Sequence, residues 1–236
     1  MSELVKIKGL TKSYDKRKNA LDHLDLTIPS GRIIGLLGPN GSGKTTLIKL
    51  LAGLLMPNEG EILICGKEPG AETKAVVSYL PERTYFRSSM RVKELIEYFQ
   101  DFYADFRPER ARELLGNLKI DENASLKTLS KGTKEKVQLI MVMSRRARVY
   151  ILDEPIAGVD PAARDYILKT IIQDYSEDAS ILLSTHLIAD VEQLLDDVIF
   201  LKDGQIILSS SVEEIRDTRH PSVDSYFREV FSCSQN

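Results

Sequence analysis

Residues 38–45 read GPNGSGKT, and this segment constrains the architecture of the chain more strongly than any other. It fits the pattern G-x-x-x-x-G-K-[ST] of a phosphate-binding loop, which requires a strand before it and a helix after it. The preceding run RIIGLLG (32–38) is apolar throughout, as a fully buried strand is. Residues 44–55 show helical periodicity that ends at MPNEG, where proline and glycine stop a helix. The segment therefore predicts a site for a nucleoside triphosphate.

The residue types in this loop suit phosphate chemistry. Its glycines allow backbone N–H groups to converge on phosphate oxygens, and the N-terminus of the following helix adds its positive dipole end. Lys44 is predicted to reach the β- and γ-phosphates, and the Thr45 hydroxyl to bind Mg²⁺. The predicted nucleotide-binding residues of the loop are Gly38, Pro39, Asn40, Gly41, Ser42, Gly43, Lys44, Thr45 and Thr46.

Two acidic residues end a second apolar run, VYILDEP (149–155). A buried strand here would carry Asp153 to the edge of the sheet beside the phosphate loop, where it would hold Mg²⁺. Glu154 would then orient and deprotonate the attacking water, although it could also be a plain surface acid at a strand end. His186 follows the apolar run ILLSTH and is predicted to point at the γ-phosphate from a neighbouring strand. The alternative for His186 is a histidine that only satisfies local hydrogen bonds.

Strands and helices alternate along the rest of the chain, which favours an α/β core. Alternating apolar residues predict half-buried strands around Val5 and Ile7 and from Leu24 to Ile28. Further strands are predicted in GEILICG and AVVSYLP, a helix over 161–175, and a hairpin in DVIFLKDGQIILSS with Asp203 and Gly204 at its turn.

Residues 91–118 are predicted to be helical and to belong to a block inserted into this core. Leu95, Tyr98 or Phe99, Phe102 and Phe106 recur at spacings of three and four. Such a stripe predicts the core of a helical lobe.

Bulk composition sets limits on function. The chain has 236 residues and a net charge of −3, so overall charge does not indicate nucleic acid as a partner. Cys65 and Cys233 lie far apart without metal-ligand spacing, which predicts free thiols in a reducing compartment. Since no signal peptide and no apolar run of membrane-spanning length is visible, we expect a cytoplasmic protein that reaches the membrane only through a partner.

These motifs, in this order and spacing, resemble the nucleotide-binding domain of ATP-binding cassette (ABC) proteins. The matching segments are GPNGSGKT, LSKGT (129–133), ILDEP, AGVDP and STH. The resemblance implies a P-loop NTPase (RecA-like) core with an antiparallel β subdomain and an inserted α-helical subdomain. It implies a core at 1–84 and 146–212, a helical subdomain at 85–145 and a helical tail at 213–236, with ATP and Mg²⁺ as cofactors and catalytic roles for Glu154, His186 and Lys44.

The segment LSKGT resembles the family's signature loop, usually LSGGQ. In the family, two domains pair head to tail, and the signature loop of one caps the γ-phosphate held by the other. The resemblance implies this contact in trans for Ser130, Lys131, Gly132 and Thr133. Ser130 and Gly132 keep the direct phosphate contact, whereas Lys131 and Thr133 depart from the usual wording.

Three further positions carry over from the family pattern. Tyr14 resembles the aromatic residue that stacks on adenine, although it could also pack at a strand edge. Glu82, in YLPER, stands where many relatives have glutamine and is expected to contact Mg²⁺ or its water. Asp160 resembles the aspartate that crosses the dimer interface, and it could also cap the helix that follows.

Details such as LSKGTKEKVQL and YLPER resemble the bacterial ABC-2 type branch, which includes bacitracin-export-like subunits. The resemblance implies export through separate integral-membrane permeases, a second ATPase subunit in a homodimer, and a peripheral position on the cytoplasmic face of the membrane. Tyr85 and Phe86 would contact the permease, or else pack inside the helical lobe. The alternatives are a non-transport ABC ATPase acting on a macromolecular assembly and a regulatory nucleotide binder without turnover.

Overall fold

A computed structural model describes residues 2–15, 18–173, 176, 178–217 and 222–232. The predicted free thiol Cys233 lies outside these residues, while Cys65 is a free cysteine. The strands are β1 (Glu3–Ser13), β2 (Asn19–Pro29), β3 (Arg32–Leu37), β4 (Glu59–Ile64), β5 (Val77–Leu80), β6 (Val149–Asp153), β7 (Ser180–Ser184), β8 (Asp197–Lys202) and β9 (Gln205–Ser211). The helices are α1 (Lys44–Leu51), α2 (Ala71–Val76), α3 (Val92–Phe102), α4 (Pro108–Asn117), α5 (Lys131–Met143), α6 (Pro161–Gln173), α7 (Ile188–Val191), α8 (Val212–Asp217) and α9 (Val223–Ser232).

The central sheet has six strands in the order β5-β6-β7-β3-β8-β9. All its pairs are parallel except β8 with β9, which form the predicted hairpin. Because parallel strands point the same way, the carboxyl ends of β3, β6 and β7 meet at one edge of the sheet. A separate antiparallel sheet, β2-β1-β4, lies beside it. The predicted α/β P-loop architecture with an antiparallel β unit is confirmed.

The helical region between β5 and β6 differs from the prediction of continuous helix over 91–118. Helix α3 ends at Phe102 and α4 begins at Pro108, with an extended Arg107 between them (φ −112°, ψ 89°). A proline disfavours helical backbone at the residue before it and is itself well placed at the first helical position. The proline therefore divides the predicted helix in two.

The aromatic stripe is only partly core, which corrects a second prediction. Leu95, Phe99 and Phe106 are buried in a cluster that also contains residues of α4 and α5. Phe102 is 67% exposed, and its ring lies 4.5 Å from that of Tyr98, which is 42% exposed. Since the helix breaks after Phe102, that residue has no lobe surface to cover.

Two other boundaries were predicted wrongly. Helix α1 ends at Leu51 rather than Leu55, because Gly53 takes a left-handed conformation (φ +66°) that stops the helix. In the segment AVVSYLP, Ala75 and Val76 belong to α2, and the strand begins at Val77. The second error arises because a short apolar run suits helix and strand equally.

Arg145 joins the helical region to the central sheet. Its side chain is 2% exposed, and it donates to the Asp105 carboxylate at 3.0 and 3.2 Å and to the carbonyl of Val77 at 2.7 Å. The guanidinium also lies 3.8 Å from the centre of the Tyr103 ring. One buried cation therefore fixes the α3–α4 connection against the start of β5, the strand that leads to Glu82.

The C-terminal part packs on the same core. The rings of Tyr226, Phe227 and Phe231 on α9 lie 5.8, 5.4 and 5.9 Å from the Phe200 ring on β8. Within the described residues, every helix is too short or too polar to cross a bilayer.

Candidate functional site

The phosphate loop links the buried strand β3 to helix α1, as predicted. Gly41 and Gly43 have left-handed backbones, with φ of +81° and +111°. At Gly38 the requirement is space, since a Cβ atom there would lie 2.2 Å from the carbonyl oxygen of Leu201. The loop can therefore close tightly only with glycine at these positions, which leaves backbone N–H groups at the helix start available to an anion.

Lys44 spans the loop. Its ammonium group donates to the carbonyls of Gly38 at 2.6 Å and Pro39 at 3.1 Å. Burial lowers the pKa of Lys44, while the nearby carboxylates of Glu154 and Asp153 act in the opposite direction. The buried hydroxyl of Ser42 has no hydrogen-bond partner among the described residues. A partly desolvated cation beside an unpartnered hydroxyl suits a bound phosphate group.

Asp153 ends β6 and is 4% exposed. The register of β6 with β7 places it opposite Ser184, whose hydroxyl donates to Asp153 Oδ1 at 2.5 Å. Burial raises the pKa of Asp153, and the Glu154 and Glu82 charges add to this, whereas the Ser184 hydrogen bond and Lys44 lower it. A carboxylate held in this way is a suitable ligand for a hard divalent cation.

Glu154 and His186 are in direct contact. Glu154 has a left-handed backbone (φ +53°), and its N–H donates to the Ser184 carbonyl at 3.0 Å. His186 Nδ1 lies 2.9 Å from Glu154 Oε2, with the imidazole largely exposed and the carboxylate mostly buried. Neighbouring parallel strands thus bring together two residues that are 32 positions apart in sequence. This arrangement can orient a carboxylate as a general base.

One cavity of about 380 Å³ collects most of the predicted residues. Its lining includes Asn40, Gly41, Gly43, Lys44, Thr45, Thr46, Glu82, Asp153, Glu154 and His186. Ala20 and Ala157 also line it and were not predicted, because an alanine carries no chemical signal in sequence. Gly38, Pro39 and Ser42 shape the loop without lining the cavity. The cavity has hydroxyls and carboxylates for a metal ion and a lysine and backbone amides for phosphates.

Tyr14 lies outside the lining but close to it. Its ring is 65% exposed, and its hydroxyl lies 3.3 Å from Thr46 Oγ1 on the helix that follows the phosphate loop. An exposed ring beside the phosphate loop is free to stack on a planar base.

The signature-like loop does not line the phosphate cavity of its own chain. Ser130 is the N-cap of α5, and its hydroxyl oxygen accepts the Thr133 N–H at 3.1 Å and lies 2.8 Å from Thr133 Oγ1. The exposed Lys131 ammonium lies 3.9 Å from Glu135 Oε1, one turn further along the helix. Ser130, Lys131, Gly132 and Thr133 thus lie at a helix N-terminus that carries two hydroxyls and a cation and does not line the cavity of the phosphate loop.

Asp160 precedes α6, and its carbonyl accepts the Arg164 N–H at 3.2 Å, which is the position of a helix cap. Its carboxylate pairs with Lys136 Nζ at 3.3 Å and is 60% exposed. Both readings of Asp160 from sequence, as a cap and as an exposed contact residue, are compatible with this placement.

Comparison with known proteins identifies close resemblance over most of the chain. The sequence profile of the ABC transporter family matches residues 21–157. The SkfA peptide export ATP-binding protein SkfE of Bacillus subtilis (strain 168) is 31% identical over 221 residues, covering 91% of this chain and 92% of that protein. A solved structure of the ATP binding subunit of an ABC transporter superposes with a TM-score of 0.87 at 29% identity, covering 97% of this chain and 99% of that one. The ATP-binding cassette MJ0796, in a dimeric post-hydrolysis state bound to ADP and Pi, has a TM-score of 0.78 at 21% identity, covering 88% of this chain and 98% of that one.

Proposed function

The chain belongs to the ABC transporter family, and from this premise we propose that it is one of two ATP-hydrolysing subunits that power export through separate membrane-spanning permeases. As a member of that family it binds ATP and hydrolyses it in transport. The peptide-export role in the name of its relative SkfE supports export over uptake. The cargo is chosen by the permease, which is a different chain.

The observation that carries the assignment of ATP hydrolysis is the contact of 2.9 Å between His186 Nδ1 and Glu154 Oε2 at the wall of the phosphate cavity. Glu154 accepts a proton from the attacking water, and His186 orients the Glu154 carboxylate and faces the γ-phosphate. Lys44 stabilises the negative charge that develops on the phosphates. These are the roles we assign to the catalytic residues.

A magnesium ion fits the donor set at this edge of the sheet. Thr45 offers a hydroxyl, Asp153 a buried carboxylate, and Glu82 a second carboxylate that lines the same cavity. Oxygen ligands of this kind are those that Mg²⁺ prefers, and the bound ion would neutralise charge on the β- and γ-phosphates. Glutamate in place of glutamine at position 82 adds a negative charge to this set.

Two copies are needed to complete the site. The signature loop does not line the cavity of the phosphate loop in its own chain, and Ser130 and Gly132 are therefore assigned to the phosphate held by a second chain. In a head-to-tail homodimer the α5 N-terminus of one chain would cover the γ-phosphate of the other, with Asp160 crossing near the same interface. The cassette MJ0796, which has the same fold, is dimeric in its post-hydrolysis state, and this supports a dimer.

We assign the permease contact to the surface formed by residues 85–90 and helix α3. A cavity of about 450 Å³ is lined by Tyr85, Phe86, Arg87, Ser89, Met90, Leu95 and Tyr98. Tyr85 is 55% exposed, and its ring lies 4.4 Å from that of the half-buried Phe86. An aromatic groove of this size accommodates a short helix from a partner. Through it the chain would sit at the cytoplasmic face of the membrane.

Dimer formation tests the assignment. A Glu154→Gln variant, which keeps the shape of the carboxylate but cannot accept the proton, should form a stable dimer with MgATP in light scattering. Adding Ser130→Arg should abolish that dimer, while adding Asn117→Arg, an equal charge at the exposed end of α4, should leave it intact. Equal dimer in all three proteins would contradict capping in trans.

Recovery of companions tests the transport role separately. Affinity purification of the tagged chain from gently solubilised native membranes should yield a polytopic membrane protein in near-equal amount. Recovery with only ribosomal or assembly-factor companions would contradict the transport role and leave the ATPase assignment standing.

A further inference from the structure

The first two turns of α5 pack against the loop 155–160, which directly follows Glu154. A Cβ atom built on Gly132 would lie 3.4 Å from the Gly158 carbonyl oxygen, an ordinary packing distance. The Lys136 ammonium pairs with the Asp160 carboxylate at 3.3 Å. Between these two contacts lies Glu135, on the same face of the helix. Helix α5 and the loop 155–160 of one chain are thus in direct contact.

The Glu135 carboxyl group lies at the centre of this contact and is incompletely hydrogen-bonded. Its Oε2 atom is buried and has no hydrogen-bond partner among the described residues. Its Oε1 atom lies 3.9 Å from the ammonium of Lys131, which is 87% exposed and therefore offers only weak compensation. Burial accordingly raises the pKa of Glu135, against the opposing effect of Lys131. A buried polar atom without a partner lowers the stability of the fold, and its presence therefore suggests a functional role.

Gly158 is complementary to this carboxyl group. A Cβ atom at Gly158 would lie 2.1 Å from Glu135 Oε2 and 2.2 Å from Oε1. Gly158 is not among the glycines with positive φ, so its backbone conformation does not require glycine. Glycine at position 158 therefore leaves room for the Glu135 carboxyl group, which fills the volume that a side chain would take.

The same carboxyl group reaches the neighbourhood of the catalytic residues. Glu135, Lys131 and Gly158 line a cavity of about 120 Å³ whose wall also includes Glu82, Asp153 and Glu154. A shift of the loop at Gly158 is transmitted to Glu154 through only three intervening residues. Glu154 is held by a left-handed backbone, which depends on its surroundings for its orientation.

We propose that Glu135 is a positioning residue for ATP hydrolysis: its carboxyl group, seated on Gly158, fixes the loop 155–160 and thereby the direction of the Glu154 carboxylate. Helix α5 begins at the signature loop. The contact of Glu135 with Gly158 therefore couples nucleotide binding at Ser130, by the partner chain, to the orientation of Glu154 in the same chain. The inference rests on the proposed role of Glu154.

Substitutions at both positions test the contact. Glu135→Ala should lower kcat and leave the KM for ATP unchanged, since the phosphate loop is untouched. Gly158→Ala should lower kcat to about that of Glu135→Ala, because the atoms nearest the new Cβ belong to the end of the flexible Glu135 side chain, which would be displaced from Gly158. In the double variant Glu135→Ala/Gly158→Ala the second substitution has nothing left to displace, so kcat should equal that of Glu135→Ala alone. Glu135→Gln, which keeps the shape, should retain most of the activity.

Thermal unfolding separates positioning from a structural role. Removing a carboxyl group whose buried Oε2 has no hydrogen-bond partner among the described residues should leave the Tm of Glu135→Ala unchanged or raise it while kcat falls. Losses in kcat that multiply in the double variant, or a Glu135→Ala protein with the kcat of the unaltered chain, would overturn the proposal. The same assay tests the role of Glu154 through Glu154→Gln. If Glu154→Gln still hydrolysed ATP, the role of Glu154 would be refuted. If Glu154→Gln were inactive while Glu135→Ala had the kcat of the unaltered chain, only the role of Glu135 would be refuted.

Discussion

Replacement of Ser184 by alanine would test whether Asp153 is the metal ligand, because Ser184 contacts that carboxylate without lining the cavity itself. Its hydroxyl donates to Asp153 Oδ1 at 2.5 Å, and both residues are buried. The same hydroxyl accepts the Glu154 N–H at 3.3 Å, but that N–H keeps a shorter hydrogen bond of 3.0 Å to the Ser184 carbonyl, which alanine retains. A hydrogen bond to a charged group contributes about 1.5–3 kcal/mol. If that contribution is lost from the ionised, metal-binding form, the affinity for Mg²⁺ should fall about 10- to 150-fold, since about 1.4 kcal/mol corresponds to a factor of ten.

The assay is the free Mg²⁺ concentration that gives half the maximal rate of hydrolysis at saturating ATP. ATP binding in the presence of a chelator should be unchanged, because the phosphate loop is intact. Ser144→Ala is a matched control: Ser144 is equally buried, and its hydroxyl has no hydrogen-bond partner among the described residues. The reasoning would be refuted by a Ser184→Ala protein whose Mg²⁺ requirement equals that of the Ser144→Ala control.

Three further substitutions have distinct expected results. His186→Ala should lower kcat by about 100-fold or more while ATP-dependent dimers still form, because the residue orients Glu154 after ATP has bound; hydrolysis rates and light scattering on one preparation check this. Tyr14→Ala should raise the Kd for the nucleotide by about 10-fold through lost base stacking, and Tyr14→Phe should not, as titration with a fluorescent ATP analogue would report. Arg145→Met should destabilise the chain by about 3–5 kcal/mol in urea unfolding because it leaves the Asp105 carboxylate without its buried partner, and a second substitution, Asp105→Leu, should restore part of that loss.

The phosphate loop and the acidic strand end were predictable because their information is local. The glycines, the lysine and the threonine of the phosphate loop lie within eight consecutive residues, and the apolar runs that precede both motifs predict buried strands. The neighbourhood of Asp153 and His186 followed from one further rule, that parallel strands end at a common edge. The structure brings these residues to one cavity, while their chemical roles remain predictions.

The errors arose where tertiary contacts override periodicity. Phe102 fits the apolar stripe of α3, yet it is exposed because the chain turns away before Pro108. The sequence SILLST does not reveal that Ser184 contacts Asp153, since this contact depends on the register of the two strands. Glu135 was not singled out from the sequence, because a helical glutamate carries no special signal; its partly buried carboxyl group depends on the approach of α5 to Gly158.

The departures of this chain from the usual signature wording are connected by these contacts. Thr133 replaces an amide with a hydroxyl that lies 2.8 Å from Ser130 Oγ. Ser130 Oγ also accepts the Thr133 N–H, so a proton donated by Thr133 would leave the Ser130 proton free for a phosphate oxygen. Lys131 places a cation on the same helix end and pairs with Glu135, which contacts the catalytic loop. Substitutions that look like losses of a family motif therefore supply the proposed phosphate-binding helix end with its own hydroxyl, its own charge and a direct contact to the residues that follow Glu154.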